Sequence, residues 1–342
     1  MKILGRDDVD AALKGLDPVV LDAVRTAYVL HGQGHSQVPF SSFLRPPTPA
    51  GSRIISLPAY LGGPEPVMGL KWISSFPANV EKGLQRASSV QILNDLHTGY
   101  PTALMEGSRI SASRTAASAA LAAGALHGGR RVRTAGLIGC GTINQRVLAF
   151  LTLTHPELET VVLQDVVPGR AEVLAAELES EYPKLSLRAG DVADALAAET
   201  VSIATTDSTY WLDLGEHPDR PEGQVILHLS LRDLSTASVL GAYNVVDDIE
   251  HAVREQTSLH KAEQEVGHRE FVHAEIASVL GCTEPPAPGR TVVFSPFGLG
   301  VLDLAVAQVV LRAATESGLG SDAAGFDPGS HRVTAAMLGG AA

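Results

Sequence analysis

The run Thr134-Ala-Gly-Leu-Ile-Gly-Cys-Gly-Thr-Ile-Asn-Gln-Arg-Val-Leu-Ala-Phe150 constrains this chain more than any other segment. Ala135 to Ile138 is a short apolar run with the length of a buried strand. Gly139 ends it, and Gly141 follows two residues later. From Thr142 the apolar residues Ile143, Val147, Leu148, Phe150 and Leu151 recur at helical spacing. Strand, glycine turn and helix in that order is the dinucleotide-binding fingerprint. Gly139 permits the tight turn, and Gly141 lets the backbone approach a pyrophosphate. The helix offers that anion its unpaired N–H groups and the positive end of its dipole. Asn144 stands where the third glycine or alanine of the pattern would fall, so the surrounding alternation must carry the reading.

That alternation is present. Strands are expected at Thr160–Gln164, Leu185–Arg188, Thr200–Ala204, Val225–Leu229, Asn244–Val246 and Val292–Phe294. Helical segments lie between them, at Gly169–Glu181, from Asp191, and across Ile249–Val279. Such alternation specifies a parallel, doubly wound sheet. The second strand ends at Asp165, where a carboxylate would hold the ribose hydroxyls of an adenosine. A carboxylate repels a ribose phosphate, which favours NAD over NADP; Arg170 nearby leaves NADP open.

The residues before this region read differently. Residues 1–35 have the pattern of a helical lead-in, and Val38–Pro66 is dense in proline and glycine. Strands are expected at Arg53–Pro58, Met68–Ser74, Ser89–Asp95 and Thr102–Met105, followed by an alanine-rich helix over Ser111–Leu126. This part is α+β. A second apolar helix, Leu299–Ala314, nearly closes the chain.

Composition limits partners. With 342 residues, a net charge of −12 and 19% charged residues, the chain is an ordinary globular protein without the basic surface that nucleic acid or anionic membrane requires. The charged N-terminus and the lack of a long apolar run point to a cytoplasmic protein with no membrane partner. Two cysteines, Cys140 and Cys282, give neither a disulfide framework nor metal spacing, and the twelve histidines show no ligand pattern, so no metal is expected.

Four charged residues stand out against their surroundings. Lys71 interrupts an apolar strand, either as an outward edge residue or facing a pocket. Arg53 begins a strand, as a solvated end or an anion ligand. Arg114 is the only charge on the alanine-rich stretch from Ser111 to Leu126. Asp233 follows a nucleotide-domain strand, at the end where doubly wound sheets place ligands; it reads as a proton acceptor or as a helix cap.

Several motifs together resemble the ornithine cyclodeaminase/mu-crystallin family: Gly69-Leu-Lys-Trp-Ile73, Asn94-Asp-Leu-His-Thr-Gly-Tyr-Pro101, Ser113-Arg-Thr-Ala-Ala-Ser-Ala-Ala-Leu-Ala-Ala123 and Phe294-Ser-Pro-Phe-Gly-Leu-Gly300. Within it, Arg53-Ile-Ile-Ser-Leu-Pro58, Gln85-Arg-Ala-Ser88, Ile138-Gly-Cys-Gly-Thr-Ile-Asn144 and Leu229-Ser-Leu-Arg-Asp-Leu234 are similar to the branch of N-((2S)-2-amino-2-carboxyethyl)-L-glutamate dehydrogenases. True cyclodeaminases carry a Gly-Gly-Asp-Cys-Pro-Gly-Lys type segment where this chain has Ser230-Leu-Arg-Asp-Leu-Ser235.

The resemblance implies a homodimer, with a Rossmann NAD-binding domain over 126–304 and an α+β substrate and dimerisation domain from 1–125 with 305–342. It implies substrate binding by Arg53, Lys71 and Arg114, and proton transfer by Asp233 with Lys71. It implies cofactor contacts from Ser89, Arg114, Gly139, Gly141, Thr142, Ile143, Asn144, Asp165, Thr205 and Ser230. Pro296 stands where relatives can have a serine near the cofactor. The activity implied is NAD-dependent oxidative cleavage of a secondary amine derived from glutamate, giving 2,3-diaminopropionate for siderophores or peptide natural products. An NAD-dependent cyclodeaminase, a related imine oxidoreductase and a non-catalytic nucleotide-dependent binding protein are the alternatives.

Overall fold

The computed structural model describes residues 1–281 and 286–323. Cys282 and the chain beyond 323 lie outside the described residues. Two eight-stranded sheets organise the molecule. The first sheet is built from residues 2–106 and closed by Ser321–Asp322; the second uses residues 134–294.

The second sheet is wholly parallel, in the order Ser186–Ala189, Thr160–Gln164, Thr134–Ile138, Thr200–Ile203, Val225–His228, Val292–Phe294, Tyr243–Val246, Val272–Glu275. Alternate residues of one strand enter different cores: Val225 and Leu227 face one apolar cluster, and Ile226 faces the other. Burial on both faces is why these strands read as continuous apolar runs. The winding direction reverses between Thr134–Ile138 and Thr200–Ile203, which opens a crevice at their C-terminal ends.

The first sheet is mainly antiparallel and covered on one face. Leu57, Ala59, Leu61, Leu93, Ala103 and Met105 point inward, beneath the helices Asp17–Gly32, Ser108–His127 and Gly300–Glu316. Its outer face exposes Trp72 (41%) opposite Val90 (37%). The alanine-rich helix Ser108–His127 also packs on the helix Thr142–Thr154 and on the strand Val225–His228. Its alanines from Ala112 to Ala123 are buried, and only side chains that small let one helix sit closely against both halves.

Two expectations need correction. The lead-in is not purely helical: Lys2–Leu4 is a strand parallel to Pro101–Glu106, and Gly15 (φ 74°) separates the helices Arg6–Leu13 and Asp17–Gly32. The region 249–279 is not one helical stretch. It holds short helices at Ile249–Ala252, Ser258–Val266 and Ile276–Val279 around the edge strand Val272–Glu275. Gly267 (φ 76°) stops the middle helix, and backbone pairing to Tyr243–Val246 overrides the polar, helix-like composition of Val272-His-Ala-Glu275.

Candidate functional site

The glycine turn lies at the reversal point of the parallel sheet. Gly139 has φ 94°, and a Cβ there would meet the Ala204 carbonyl oxygen at 2.5 Å, so no other residue fits. Gly141 is different: a Cβ would meet nothing within 4 Å. It begins the helix Thr142–Thr154, which has no side-chain cap, so its first N–H groups face open space with Thr142 and Ile143 beside them. That is a cradle for an anion. Asn144 departs from the expected contact role. Its side chain is buried beneath the turn, where Nδ2 donates to the carbonyls of Ile138 (2.9 Å) and Gly139 (2.8 Å) and Oδ1 accepts from Ser202 Oγ (2.7 Å). It ties helix to strands where a third glycine would have let them touch.

Asp165 closes the same turn. Its carboxylate accepts from the N–H of Cys140 (2.7 Å) and of Val167 (2.9 Å), and Arg170 Nε lies 3.8 Å away. An open cavity of ≈ 230 Å³ beside it is lined by Val167, Pro168, Gly169 and Gly190. Cys140 is buried there, and burial together with Asp165 pushes its thiol up to about 11. It is a packing residue, not a nucleophile.

Across the reversal point, Asp233 forms a closed knot. It is 0% exposed. Oδ1 accepts from Thr205 Oγ1 and from Trp211 Nε1 (3.2 Å); Oδ2 accepts from Ser230 Oγ and lies 3.2 Å from His228 Nε2. Burial alone would raise its pKa. The bond and charge of His228, then the Ser230 and Thr205 hydroxyls, outweigh that and hold the carboxyl below its ordinary range. The carboxylate is thus buried among hydroxyl, indole and imidazole groups and held in its ionised form. Pro296 is buried, and the neighbouring Ser295 turns to His228 Nδ1 (3.1 Å).

The cations expected from the first sheet divide into two places. Lys71 points inward and is 2% exposed. Its Nζ donates to Asp303 Oδ2 at 2.7 Å and to Ser111 Oγ at 3.3 Å. Arg114 Nε donates to Asp303 Oδ1 at 3.2 Å, and its guanidinium lies against Gly298, where a Cβ would come within 2.8 Å of it. Burial, then Arg114, lower the Lys71 pKa to about 8, against the opposing pull of Asp303. Asp303 is 0% exposed, and Arg114 and Lys71 overcome burial to hold it low. The turn beneath Arg114 is pinned by Asp247, which accepts from the N–H of Phe297 (2.9 Å) and Gly298 (2.6 Å).

Asp303 was not among the residues singled out from sequence. Its signal was available: it is the only charged residue between Gly300 and Leu311 of an otherwise apolar helix, the same kind of anomaly as Arg114. Gln91 was also missed. It sits opposite Lys71 in register, is fully buried, and neither amide atom has a hydrogen-bond partner among the described residues. Ser89 on the same face likewise has a buried, unpaired hydroxyl. Such groups are costly unless a ligand satisfies them. Arg53 lies four residues from Leu57, the strand partner of Lys71, and joins a separate group of arginines. Among the described residues, no three His, Cys, Asp or Glu side chains converge as a metal would need, and no helix is long and apolar enough to cross a membrane.

A doubly wound sheet with an open glycine turn, joined to a half-covered sheet bearing a buried lysine, defines a two-part dinucleotide-type fold with a charged cleft. The chain belongs to the ornithine cyclodeaminase/mu-crystallin family, whose model matches residues 6–318. It is 27% identical over 339 residues to the N-((2S)-2-amino-2-carboxyethyl)-L-glutamate dehydrogenase of Staphylococcus aureus, covering 94% of this chain and 97% of that one. Among solved structures it is similar to the Thermococcus litoralis Δ(1)-pyrroline-2-carboxylate reductase in complex with NADH and L-proline (TM-score 0.85, 26% identity, 94% of this chain and 100% of that one). It is also similar to an archaeal alanine dehydrogenase dimer with bound NAD (TM-score 0.82, 26% identity, 94% of this chain and 98% of that one).

Proposed function

We propose that this chain is an NAD-dependent oxidoreductase acting on the C–N bond of an amino-acid-derived secondary amine. Its substrate in this reading is N-(2-amino-2-carboxyethyl)-L-glutamate, cleaved to 2,3-diaminopropionate and 2-oxoglutarate for siderophore or peptide biosynthesis. The observation that carries the reading is Lys71, buried against Asp303, which Arg114 shares, with its pKa lowered to about 8. A buried lysine that is partly neutral near physiological pH is matched to exchanging a proton with an amine.

NAD⁺, when bound, supplies the hydride acceptor. Gly139, Gly141, Thr142 and Ile143 at the open helix start would hold its phosphates, Asp165 its ribose hydroxyls, and Ser89 and Thr205 are the further residues that would contact it. Arg114 holds the α-carboxylate. Neutral Lys71 takes the amine proton as the α-hydrogen departs with its electron pair, leaving an imine. Water adds to the imine carbon, and protonated Lys71 returns a proton to nitrogen as the C–N bond breaks. Substrate, NAD⁺ and water thus become the two products, NADH and one proton. Asp233 is assigned a positioning part: it orders Thr205, Ser230 and Trp211 where the water must approach. The enzyme acts in the cytoplasm as a homodimer, with the uncovered sheet face around Trp72 and Val90 as the contact between copies.

The test is incubation of the purified chain with NAD⁺ and this amine. A steady rise of NADH absorbance with equimolar 2-oxoglutarate supports the reading. Conversion of L-ornithine to proline with no accumulation of NADH would instead make the chain a cyclodeaminase.

A further inference from the structure

Four arginines gather at the end of the cleft away from Lys71. Arg53 pairs in register with Ser75, and Arg86 Nη1 donates to Ser75 Oγ at 2.7 Å. Leu44 pairs with Ile54, which carries Arg45 to the position opposite Arg53. From the parallel sheet, the loop that holds Asp233 contributes Arg232. Its Nη2 donates to the Glu255 carbonyl at 2.6 Å, and Arg45 meets the Glu255 carboxylate. The Glu255 carboxylate, with Asp233 beside Arg232, therefore faces four guanidiniums. Arg53 makes no hydrogen bond or ion pair among the described residues, and Arg86 has only the Ser75 hydroxyl. Burial, then repulsion from Arg232, Arg86 and Arg45, pull the Arg53 pKa down. Uncompensated charge of this kind is unfavourable without an anion.

A second observation is independent of charge. The non-glycine residues with positive φ among the described ones are Tyr210, Leu231, Glu255 and Gln256. All four belong to this wall: Tyr210 N–H donates to the Arg232 carbonyl (3.0 Å), Tyr210 Oη to the Gln256 carbonyl (2.8 Å), and Ser258 N–H to the Leu231 carbonyl (2.7 Å). Backbone strain concentrated at one spot is retained where it shapes a site.

We propose that Arg53, Arg86 and Arg232 form a second anion subsite, distinct from the Lys71–Asp303–Arg114 centre, that binds the distal carboxylate of an acidic amino-acid substrate, with Glu255, paired to Arg45 beside them, as the internal anion that offsets their charge. This rests on the function proposed above and assigns one carboxylate of its substrate to these arginines. Ser75 lies four residues from Lys71 on the same face, about 13 Å at roughly 3.3 Å per residue. Long cationic side chains leaning inward from both positions bracket a molecule charged at both ends, not a small monocarboxylate. Arginine suits the task because its planar fork pairs bidentately with carboxylate.

The test is calorimetric binding of 2-oxoglutarate and of pyruvate to the full chain saturated with NADH, with NADH affinity and thermal unfolding measured alongside. Arg86→Met and Arg232→Met should each weaken 2-oxoglutarate at least about tenfold while leaving pyruvate and NADH unchanged. Glu255→Gln should tighten 2-oxoglutarate, a change of opposite sign that a folding defect cannot mimic. Equal 2-oxoglutarate affinity in wild type and all three variants overturns the subsite, as does a wild type that binds 2-oxoglutarate no better than pyruvate. Equal competition by inorganic phosphate would reduce the cluster to a general anion patch and overturn it too. If the secondary amine yields no NADH but the arginine variants still lose 2-oxoglutarate, the reaction falls and the subsite stands.

Discussion

Asp233, in the loop that follows a strand of the parallel sheet, and Lys71, in the middle of an antiparallel strand, are both sealed from solvent, yet their surroundings act on them in opposite directions. Around Asp233 the Thr205 and Ser230 hydroxyls and the Trp211 indole donate hydrogen bonds, and with His228 they hold the charged form. Around Lys71 burial and Arg114 oppose the charge more strongly than Asp303 supports it. One wall of the cleft is built to keep an ion fixed, and the other to let a proton move. Burial alone does not mark a proton-transfer group; the balance of its partners does.

That contrast is broken most directly by Lys71→Met. Turnover should fall by about 10²–10⁴, the range of a lost general acid–base group, while NAD⁺ affinity by fluorescence titration stays the same. A variant that still turns over normally would remove Lys71 from the chemistry. Asp233→Asn should instead register first in stability. An amide presents an NH₂ to a ring of donors, and breaking such a buried pair costs about 3–5 kcal/mol, readable in chemical denaturation. Wild-type stability with abolished turnover would restore Asp233 to the proton-transfer role and reverse the comparison.

The pH profile sharpens it further. Lys71 must be neutral to accept a proton, so the oxidation rate should rise with pH and level off above about 8. Asp303 raises the lysine pKa, so Asp303→Asn should move that rising limb to lower pH; a limb that stays in place would uncouple the pair. Smaller again is the split between two glycines. Gly139→Ala should cost about 1–3 kcal/mol of stability from its strained φ and its clash with Ala204. Gly141→Ala should leave unfolding unchanged and weaken only NAD⁺. Equal stability losses in both would mean that Gly141 too serves the turn.

The features legible in sequence were those carried by local order. The glycine turn, the strand ending at Asp165 and the anomalous charges Lys71 and Arg114 each needed only their neighbours to be noticed. Asp303 was harder because its partner lies 232 positions away; nothing near either residue names the other. The arginine group was hidden for the same reason, since Arg86 and Arg232 each look like a solvated charge until two sheets meet. Edge strands such as Val272–Glu275 escaped because a polar, half-exposed strand lacks the apolar alternation that marks one. Spacing puts Asn144 at the third position of the turn without saying which way its side chain is turned.

The strand Val292–Phe294 enters the parallel sheet between Val225–His228 and Tyr243–Val246, both of which precede it in the chain. During synthesis, then, the two flanking strands leave the ribosome before the one that separates them. The sheet cannot reach its final order until the chain has grown past Phe294. A few residues later the same segment delivers Asp303, so Lys71 meets its counterion only after that strand has been made. Completion of the parallel sheet and pairing of Lys71 are thus supplied by one continuous segment of the chain.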